Sequence, residues 1–222
     1  MKPLTVAIDG PAGAGKSTVA RQLAKQLKYI YIDTGAMYRA VALAVLRSGI
    51  ATDDIQRIVE FTSKLDIKLK YEGGANRVWL DGEDVTNEIR TPEVSKLVSI
   101  IAQIPAVRQI MLERQRELAK GGGVVMDGRD IGTKVLPHAD VKIFLTASIA
   151  ERARRRWLEL VEKGYDIDLA DLEQEIARRD QMDRERAVSP LVQAADAILI
   201  DTTNLSIEQA VDRIMAICKE RG

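Results

Sequence analysis

An α/β fold built on a doubly wound, five-stranded parallel sheet is predicted by three observations. Short apolar, β-branched runs recur along the chain, each bounded by turn residues and too short for a helix. Between them lie segments whose apolar residues recur at helical spacing, so strands alternate with helices. One stretch, residues 66–90, breaks that alternation with period-two patterning and reads as a small inserted antiparallel meander.

The run at residues 4–8, "LTVAI", reads as a fully buried first strand, and a helix starting near Lys16 carries Val19, Leu23 and Leu27 on one face. Residues 29–32, "YIYI", form a second short strand, ended by Asp33-Thr34-Gly35. The next helix is expected over 36–47, stopping at Ser48-Gly49. Thr52 is placed to cap another, in which Ile55, Ile58, Val59 and Thr62 repeat at helical spacing. In the meander Ile67, Leu69 and Tyr71 alternate with polar residues, and turns fall at 72–76, "EGGAN", and at Asp81-Gly82. Thr91-Pro92 and Pro105 each open a helix, the second with Val107, Ile110, Met111 and Leu118 on one side. The runs at 124–127, 141–145 and 197–201 read as parallel strands buried on both faces. Ser148 with Glu151, and Ser206 with Gln209, are spaced as capping boxes for the last helices.

A chain of 222 residues, 46% hydrophobic and 30% charged, suits one sizeable domain with an insertion, so residues 1–222 are read as a single domain. Lysine plus arginine equals aspartate plus glutamate, 33 each, a balance that argues against nucleic acid as a partner. Cys218 is the only cysteine, which excludes an intrachain disulfide and fits a reducing compartment. It falls in step with Val211, Ile214 and Met215 and reads as a packing residue. No apolar run approaches the ~20 residues that span a bilayer, and the first ten residues lack a signal peptide's apolar region. A cytoplasmic chain without membrane partners is expected.

The chemistry starts at Gly10-Pro11-Ala12-Gly13-Ala14-Gly15-Lys16-Ser17, followed by Thr18, which satisfies G-x-x-x-x-G-K-[ST]. Glycines let successive backbone N–H groups turn inward, and the following helix N-terminus adds positive partial charge. Lys16 is then placed for the β- and γ-phosphates of a nucleotide, and the Ser17 hydroxyl for Mg²⁺. The alternative, a plain glycine-rich turn, explains neither the strand before nor the helix after. The three-glycine dinucleotide fingerprint is not matched, because its spacing differs. The guanine-reading [NT]-K-x-D of switch proteins is absent.

Arginines point to a second anion. Arg39 follows "DTGAMY", Arg108 lies just after Pro105, and Arg129 lies in "MDGRDIG". Arg152, Arg154, Arg155 and Arg156 crowd one helix, and Arg178, Arg179, Arg184 and Arg186 crowd the next. The planar guanidinium fork suits phosphate oxygens. For residues 152–156 a solvated helix face is the plainer alternative, with Glu151 and Glu159 as ion-pair partners. The "DGRD" at 127–130 sits at the carboxyl end of an expected strand, where open α/β sheets bind ligands. Two phosphate-bearing substrates brought together need such charges to offset their repulsion, and a lid to exclude water. The helix at 152–156, near a possible hinge at Gly164, is the candidate lid. Asp33 and Asp127 end strands beside the cradle, where either could hold Mg²⁺ through water, but the sequence selects neither and only Ser17 is assigned to the metal; His138, Trp79 and Trp157 read as structural.

In "IDGPAGAGKST", "DTGAMYRA", "GEDVTNEIRTPEVS", "MDGRDIGT", "VKIFLTAS", "ERARRR" and "RDQMDRERAVSPL" the chain resembles the bacterial cytidylate kinases, nucleoside monophosphate kinases of the P-loop class. The resemblance covers nearly the whole length and implies transfer of the γ-phosphoryl of ATP to CMP or dCMP, with Mg²⁺. It implies a monophosphate-binding region at 34–108 carrying the β insertion at 66–90, a short helical lid at 151–168, and action as a monomer. ATP would lie on Gly10–Thr18, with Lys16 catalytic. By the same resemblance, cytosine contacts fall on Ser99, Arg108 and Asp130. The acceptor phosphate falls on Arg39, Arg129 and Arg186, and the sugar hydroxyls on Thr34, Arg179 and Asp183. Arg155 and Arg156 match lid arginines that reach the transferring phosphoryl group. Many relatives have serine where Thr34 stands, and threonine keeps the hydroxyl.

The cytosine assignment makes chemical sense, because an exocyclic amino group needs acceptors such as Asp130 and Ser99, and Arg108 can donate to a ring acceptor. Uracil presents a carbonyl where cytosine has the amine, and an unpaired buried polar group costs ~1–3 kcal/mol, roughly ten- to a hundredfold. Two rival readings stay open from the residues alone. One is a P-loop kinase for another small acceptor, such as shikimate or a different monophosphate; the other is a nucleotide-binding switch without transfer chemistry. ATP turnover that requires an added acceptor separates kinase from switch.

Overall fold

The computed structural model describes residues 3–72, 75–162 and 164–221. Gly73 and Gly74, inside one expected turn, and Lys163, inside the expected lid, lie outside them. The chain divides into two compact units, Met1–Tyr31 with Ala119–Gly222, and Ile32–Leu118.

The first unit is built on a sheet of β1 (Thr5–Asp9), β2 (Ile30–Asp33), β6 (Val124–Gly128), β7 (Val141–Thr146) and β8 (Ile198–Asp201), ordered β2-β6-β1-β7-β8. Its central strand β1 pairs in parallel with β6, from Thr5 opposite Val124 to Asp9 opposite Gly128, and with β7. Strand order reverses at β1, which puts the open end of a crevice at its carboxyl terminus, where the glycine-rich stretch begins. Helices α1 (Lys16–Leu27), α6 (Ile149–Glu162), α7 (Leu169–Glu185) and α8 (Ile207–Arg221) complete the unit. Val6, Ile8, Leu23, Ile143, Leu145, Val211 and Ile214 form its core with Cys218. Each large aliphatic side chain buried there contributes ~1.5–3 kcal/mol. Cys218 is the packing residue expected, its thiol pushed up to about 11 by burial. A satellite cluster of Ala153, Leu160, Leu172 and Ile176 joins α6 to α7.

The second unit holds α2 (Thr34–Ser48), α3 (Ile55–Lys64), α4 (Pro92–Ile101) and α5 (Pro105–Ala119). It also holds an antiparallel sheet of β3 (Ile67–Glu72), β4 (Ala75–Leu80) and β5 (Glu83–Asp84), the meander read from the alternation at 66–90. Met37, Val41, Ile58, Val85, Ile89, Val98 and Met111 are buried together in its core.

Four local expectations need correction, and in each a competing hydrogen bond or an edge position explains the difference. Helix α2 starts at Thr34 rather than residue 36, because the Asp33 carboxylate caps it by accepting the Ala36 N–H at 2.8 Å. The cap of α3 is Asp54, not Thr52; its carboxylate accepts the Arg57 N–H at 3.1 Å. The Ser148–Glu151 capping box is only half made: Ser148 Oγ accepts the Glu151 N–H, but the Ser148 N–H goes to Thr203 Oγ1. The Ser206–Gln209 box is complete. Finally, β8 is not buried on both faces: it ends the sheet order, and Leu199 stays 55% exposed.

Candidate active site

In the first unit the turn from β1 into α1 is shaped as the glycines require. Gly10 sits at φ +150°, and a Cβ built on it would come within 1.9 Å of the Leu145 carbonyl oxygen, so only glycine lets the loop leave β1 across β7. Gly13, at φ +75°, would bring a Cβ to 3.0 Å from the Cβ of Arg152. Lys16 is buried and its ammonium donates to the Pro11 carbonyl at 2.7 Å. Burial, then the nearby Arg129 charge, lower its pKa to about 7, while Asp127 and Asp183 work the other way.

The Ser17 hydroxyl donates to Asp127 Oδ2 at 3.1 Å, and the Tyr31 hydroxyl donates to Asp127 Oδ1 at 2.8 Å. Asp127 is buried at the end of β6, so a hydroxyl and a carboxylate oxygen stand together beside the cradle. Two hard oxygen donors suit a small divalent cation. Of the two carboxylates singled out from the sequence, Asp33 instead caps α2 and lies 3.5 Å from Arg90.

Beyond Asp127 the chain runs through Gly128, Arg129 and Asp130 into a single π-helical turn, Ile131–Val135. Arg129 Nε donates to Asp183 Oδ2 at 2.8 Å. Arg186, at the end of α7, places its guanidinium 3.6 Å from Asp183 and 3.8 Å from Asp130, and its Nε donates to the Ser189 carbonyl. Burial pushes the Asp183 carboxyl up, but Arg129 and Arg179 pull harder and hold it below the usual carboxylate range. Arg179 itself is brought down to about 10, by burial and by repulsion from Arg129. Arg129, Asp130, Arg179, Asp183 and Arg186 thus form one charged cluster, and Lys16 feels its charges.

The α6 arginines divide by burial. Arg152 is 3% exposed: it donates to the carbonyls of Ala147 and Ala12, and its Nη2 lies 2.7 Å from Asp180. It is a strut between the cradle, α6 and α7, a role that its place in a run of arginines concealed. Arg155 donates to Glu151, Thr202 Oγ1 and the Thr202 carbonyl, and Arg156 to Glu159. The acidic partners read from the sequence are therefore present. Trp157 is structural, its indole N–H donating to the Ile167 carbonyl at 3.0 Å.

In the second unit, Thr34 is buried in the first turn of α2, and Arg39 donates to Ser95 Oγ at 2.8 Å and to the Ile89 carbonyl. Arg108 donates to the Ala102 carbonyl, with its guanidinium 5.4 Å from the Tyr38 ring centre. Ser99 is half-buried on α4. Sequence reasoning misses Asp9 and Tyr31, and reads Arg152 only as one of the arginines of the candidate lid. Only Asp9 left a local trace, as a charged residue closing an apolar strand directly before Gly10.

Comparison with known proteins adds independent findings. A family model described as cytidylate kinase matches residues 6–220. A cytidylate kinase from Geobacillus sp. is 57% identical over 218 residues, covering 98% of this chain and 97% of that protein. One from Desulfitobacterium hafniense is 56% identical over 220 residues, covering 99% of this chain and 94% of that protein. The solved structure of an uncharacterised protein from Eubacterium ventriosum matches with a TM-score of 0.53 at 13% identity, covering 98% of this chain and 99% of that one, a likeness of fold alone. Among the described residues no helix is long and apolar enough to cross a membrane.

Proposed function

The chain belongs to the cytidylate kinase family, and from that premise we propose how its residues carry out the transfer of the γ-phosphoryl group of ATP to CMP or dCMP. The phosphate chain of ATP lies on the backbone of Gly10–Thr18, and Lys16 turns from the Pro11 carbonyl toward the β- and γ-phosphates. Ser17 Oγ and, through water, Asp127 would hold Mg²⁺, which when bound would supply positive charge to the phosphate oxygens.

Residues 34–108 serve as the monophosphate-binding region. Arg39, Arg129 and Arg186 hold the acceptor phosphate; Thr34, Arg179 and Asp183 hold the sugar; Ser99, Arg108 and Asp130 read cytosine. Arg155 and Arg156, in the lid at 151–168, leave Thr202, Glu151 and Glu159 for the oxygens of the transferring phosphoryl group. No general base is required, because a monophosphate oxygen is already an anionic nucleophile. The active unit is one chain, in the cytoplasm.

The observation that carries this reading is the electrostatic reach of Lys16 to Arg129, Arg179 and Asp183: the lysine of the donor cradle and the acceptor-side cluster share one end of one sheet. ADP release with Mg·ATP and, in turn, CMP, dCMP, UMP, AMP, GMP and shikimate tests it. Rapid release is expected with CMP and dCMP and little with the others. Equal release with UMP would remove the cytosine-reading role of Asp130, and release that ignores every acceptor would remove the acceptor site altogether.

A further inference from the structure

Asp9 takes no part in the scheme above, yet it is one of the most constrained carboxylates in the chain. It closes β1 and is 4% exposed. Its Oδ1 accepts the Ile131 N–H at 2.8 Å and its Oδ2 the Gly132 N–H at 2.7 Å. These are the first two N–H groups of the π-helical turn, which then closes on itself through Lys134 and Val135 to the Asp130 carbonyl and Leu136 to that of Ile131. A Cβ on Gly132 would touch Asp9 Oδ2 at an ordinary 3.4 Å and would press the Lys142 stem at 3.2 Å.

The same residue acts on the other side of the loop. The Cα of Asp9 is the register partner of Gly128 in the parallel β1–β6 pairing. Arg129 and Asp130 are therefore bracketed. The residue before them lies opposite Asp9 in the sheet, and the two residues after them donate their N–H groups to the Asp9 side chain. Both carboxylate oxygens of Asp9 bond to the loop after Asp130, while its own backbone leads into Gly10.

We propose that Asp9 is a positioning residue for the acceptor substrate, fixing the Arg129–Asp130 dipeptide by clamping the turn that follows it. The proposal rests on the roles given to Arg129 and Asp130 in the preceding section. A free-swinging loop would still carry the arginine and the carboxylate, but misplaced by the ångström that separates a productive acceptor phosphate from an unproductive one.

Asp9→Asn is the direct test, because it keeps the shape and one acceptor oxygen but points an amide donor at one of the two N–H groups. The expected result is selective: kcat/KM for CMP falls about ten- to a hundredfold, as for one buried group left unpaired, while KM for ATP changes less than about threefold. Asp9→Glu, which keeps the charge and both acceptor oxygens but lengthens the side chain by one methylene and so shifts the clamp, should produce the same split and serves if Asp9→Asn does not fold. A folded variant whose CMP constants stay within about twofold, or in which ATP and CMP are weakened alike, overturns the proposal. Asp130→Asn, assayed in parallel, separates the premise from the inference. If its preference for CMP over UMP is unchanged, the base-reading role of Asp130 is lost, and the CMP-against-ATP split still decides the role of Asp9.

Discussion

The proposed phosphate cradle and the proposed acceptor loop leave neighbouring strands, β1 and β6, and hold their shapes by opposite means. The cradle is contiguous, residues 10–18, and its geometry resides in the backbone: Gly10 and Gly13 at positive φ, with neighbouring chain packed where their side chains would be. The acceptor loop is short in sequence but is completed from far away. Arg129 meets Asp183, which lies 54 residues on, and Ile131 and Gly132 meet Asp9, more than 120 residues back. One region is specified by what is missing from its side chains, the other by what its side chains reach. Substitutions should therefore fail differently in the two: by steric exclusion in the cradle and by loss of donor geometry in the loop.

The largest effect is expected from Gly10→Ala. The added methyl would stand 1.9 Å from a backbone oxygen of β7, which has no rotamer to escape into, at a φ that alanine does not adopt. A loss of about 3 kcal/mol or more in urea denaturation is expected, a large share of a domain's total stability. If the variant kept its stability and lost only ATP binding, the cradle would be a flexible ligand loop and the contrast with the acceptor loop would fail.

This difference also decides what could be read from the sequence. The cradle was legible because each requirement sits within eight residues: glycine where φ is positive, lysine and serine at the helix start. For strand β8, "AILID" reads as buried on both faces, and only the sheet order reveals that it is an edge. The Ser148 N–H was assigned to the nearby Glu151, but Thr203 takes it from 55 residues away. Arg152 looked like one of several lid cations, and its burial against Ala12 and Asp180 depends on how α6 and α7 pack. Periodicity and spacing report on neighbours along the chain. They are silent on a carboxylate that closes one strand to hold the loop after another, as Asp9 does.

Arg129→Lys probes the side-chain half of the comparison. Lysine keeps the charge but not the planar fork, so the bond to Asp183 and the approach to an acceptor phosphate are no longer made together. A charge-assisted hydrogen bond is worth ~1.5–3 kcal/mol, so with the lysine kept on Asp183 and lost from the phosphate, kcat/KM for CMP should fall about ten- to a hundredfold with thermal stability nearly unchanged. A variant that loses stability and activity in step would show that the charged cluster is architectural. The acceptor loop would then be held as rigidly as the cradle.

The smallest effect, and the one that sharpens the comparison most, is the pH dependence contributed by Asp9, which joins the two regions. Burial raises its pKa from the ordinary 3.8 to about 6 against the two N–H bonds from Gly132 and Ile131; Asp130 adds to the rise and Lys16 opposes it. A carboxyl raised on folding keeps its proton in the folded chain between about pH 4 and 6 while the unfolded chain has released it. Its contribution to stability is therefore greatest at acid pH and is lost as pH rises through 6. Asparagine carries no such term. The stability difference between the unmodified chain and Asp9→Asn should accordingly shift by on the order of 1–2 kcal/mol in favour of the variant between pH 4.5 and 7.5, read by urea denaturation at both. A difference that stays constant, or moves the other way, would mean that the N–H bonds outweigh burial and that the clamp stabilises the fold as well as the loop. The expected shift means the reverse: at neutral pH the chain keeps an ionised, buried carboxylate at a cost in stability, which fits a residue retained to hold Arg129 and Asp130 in place rather than to hold the sheet together.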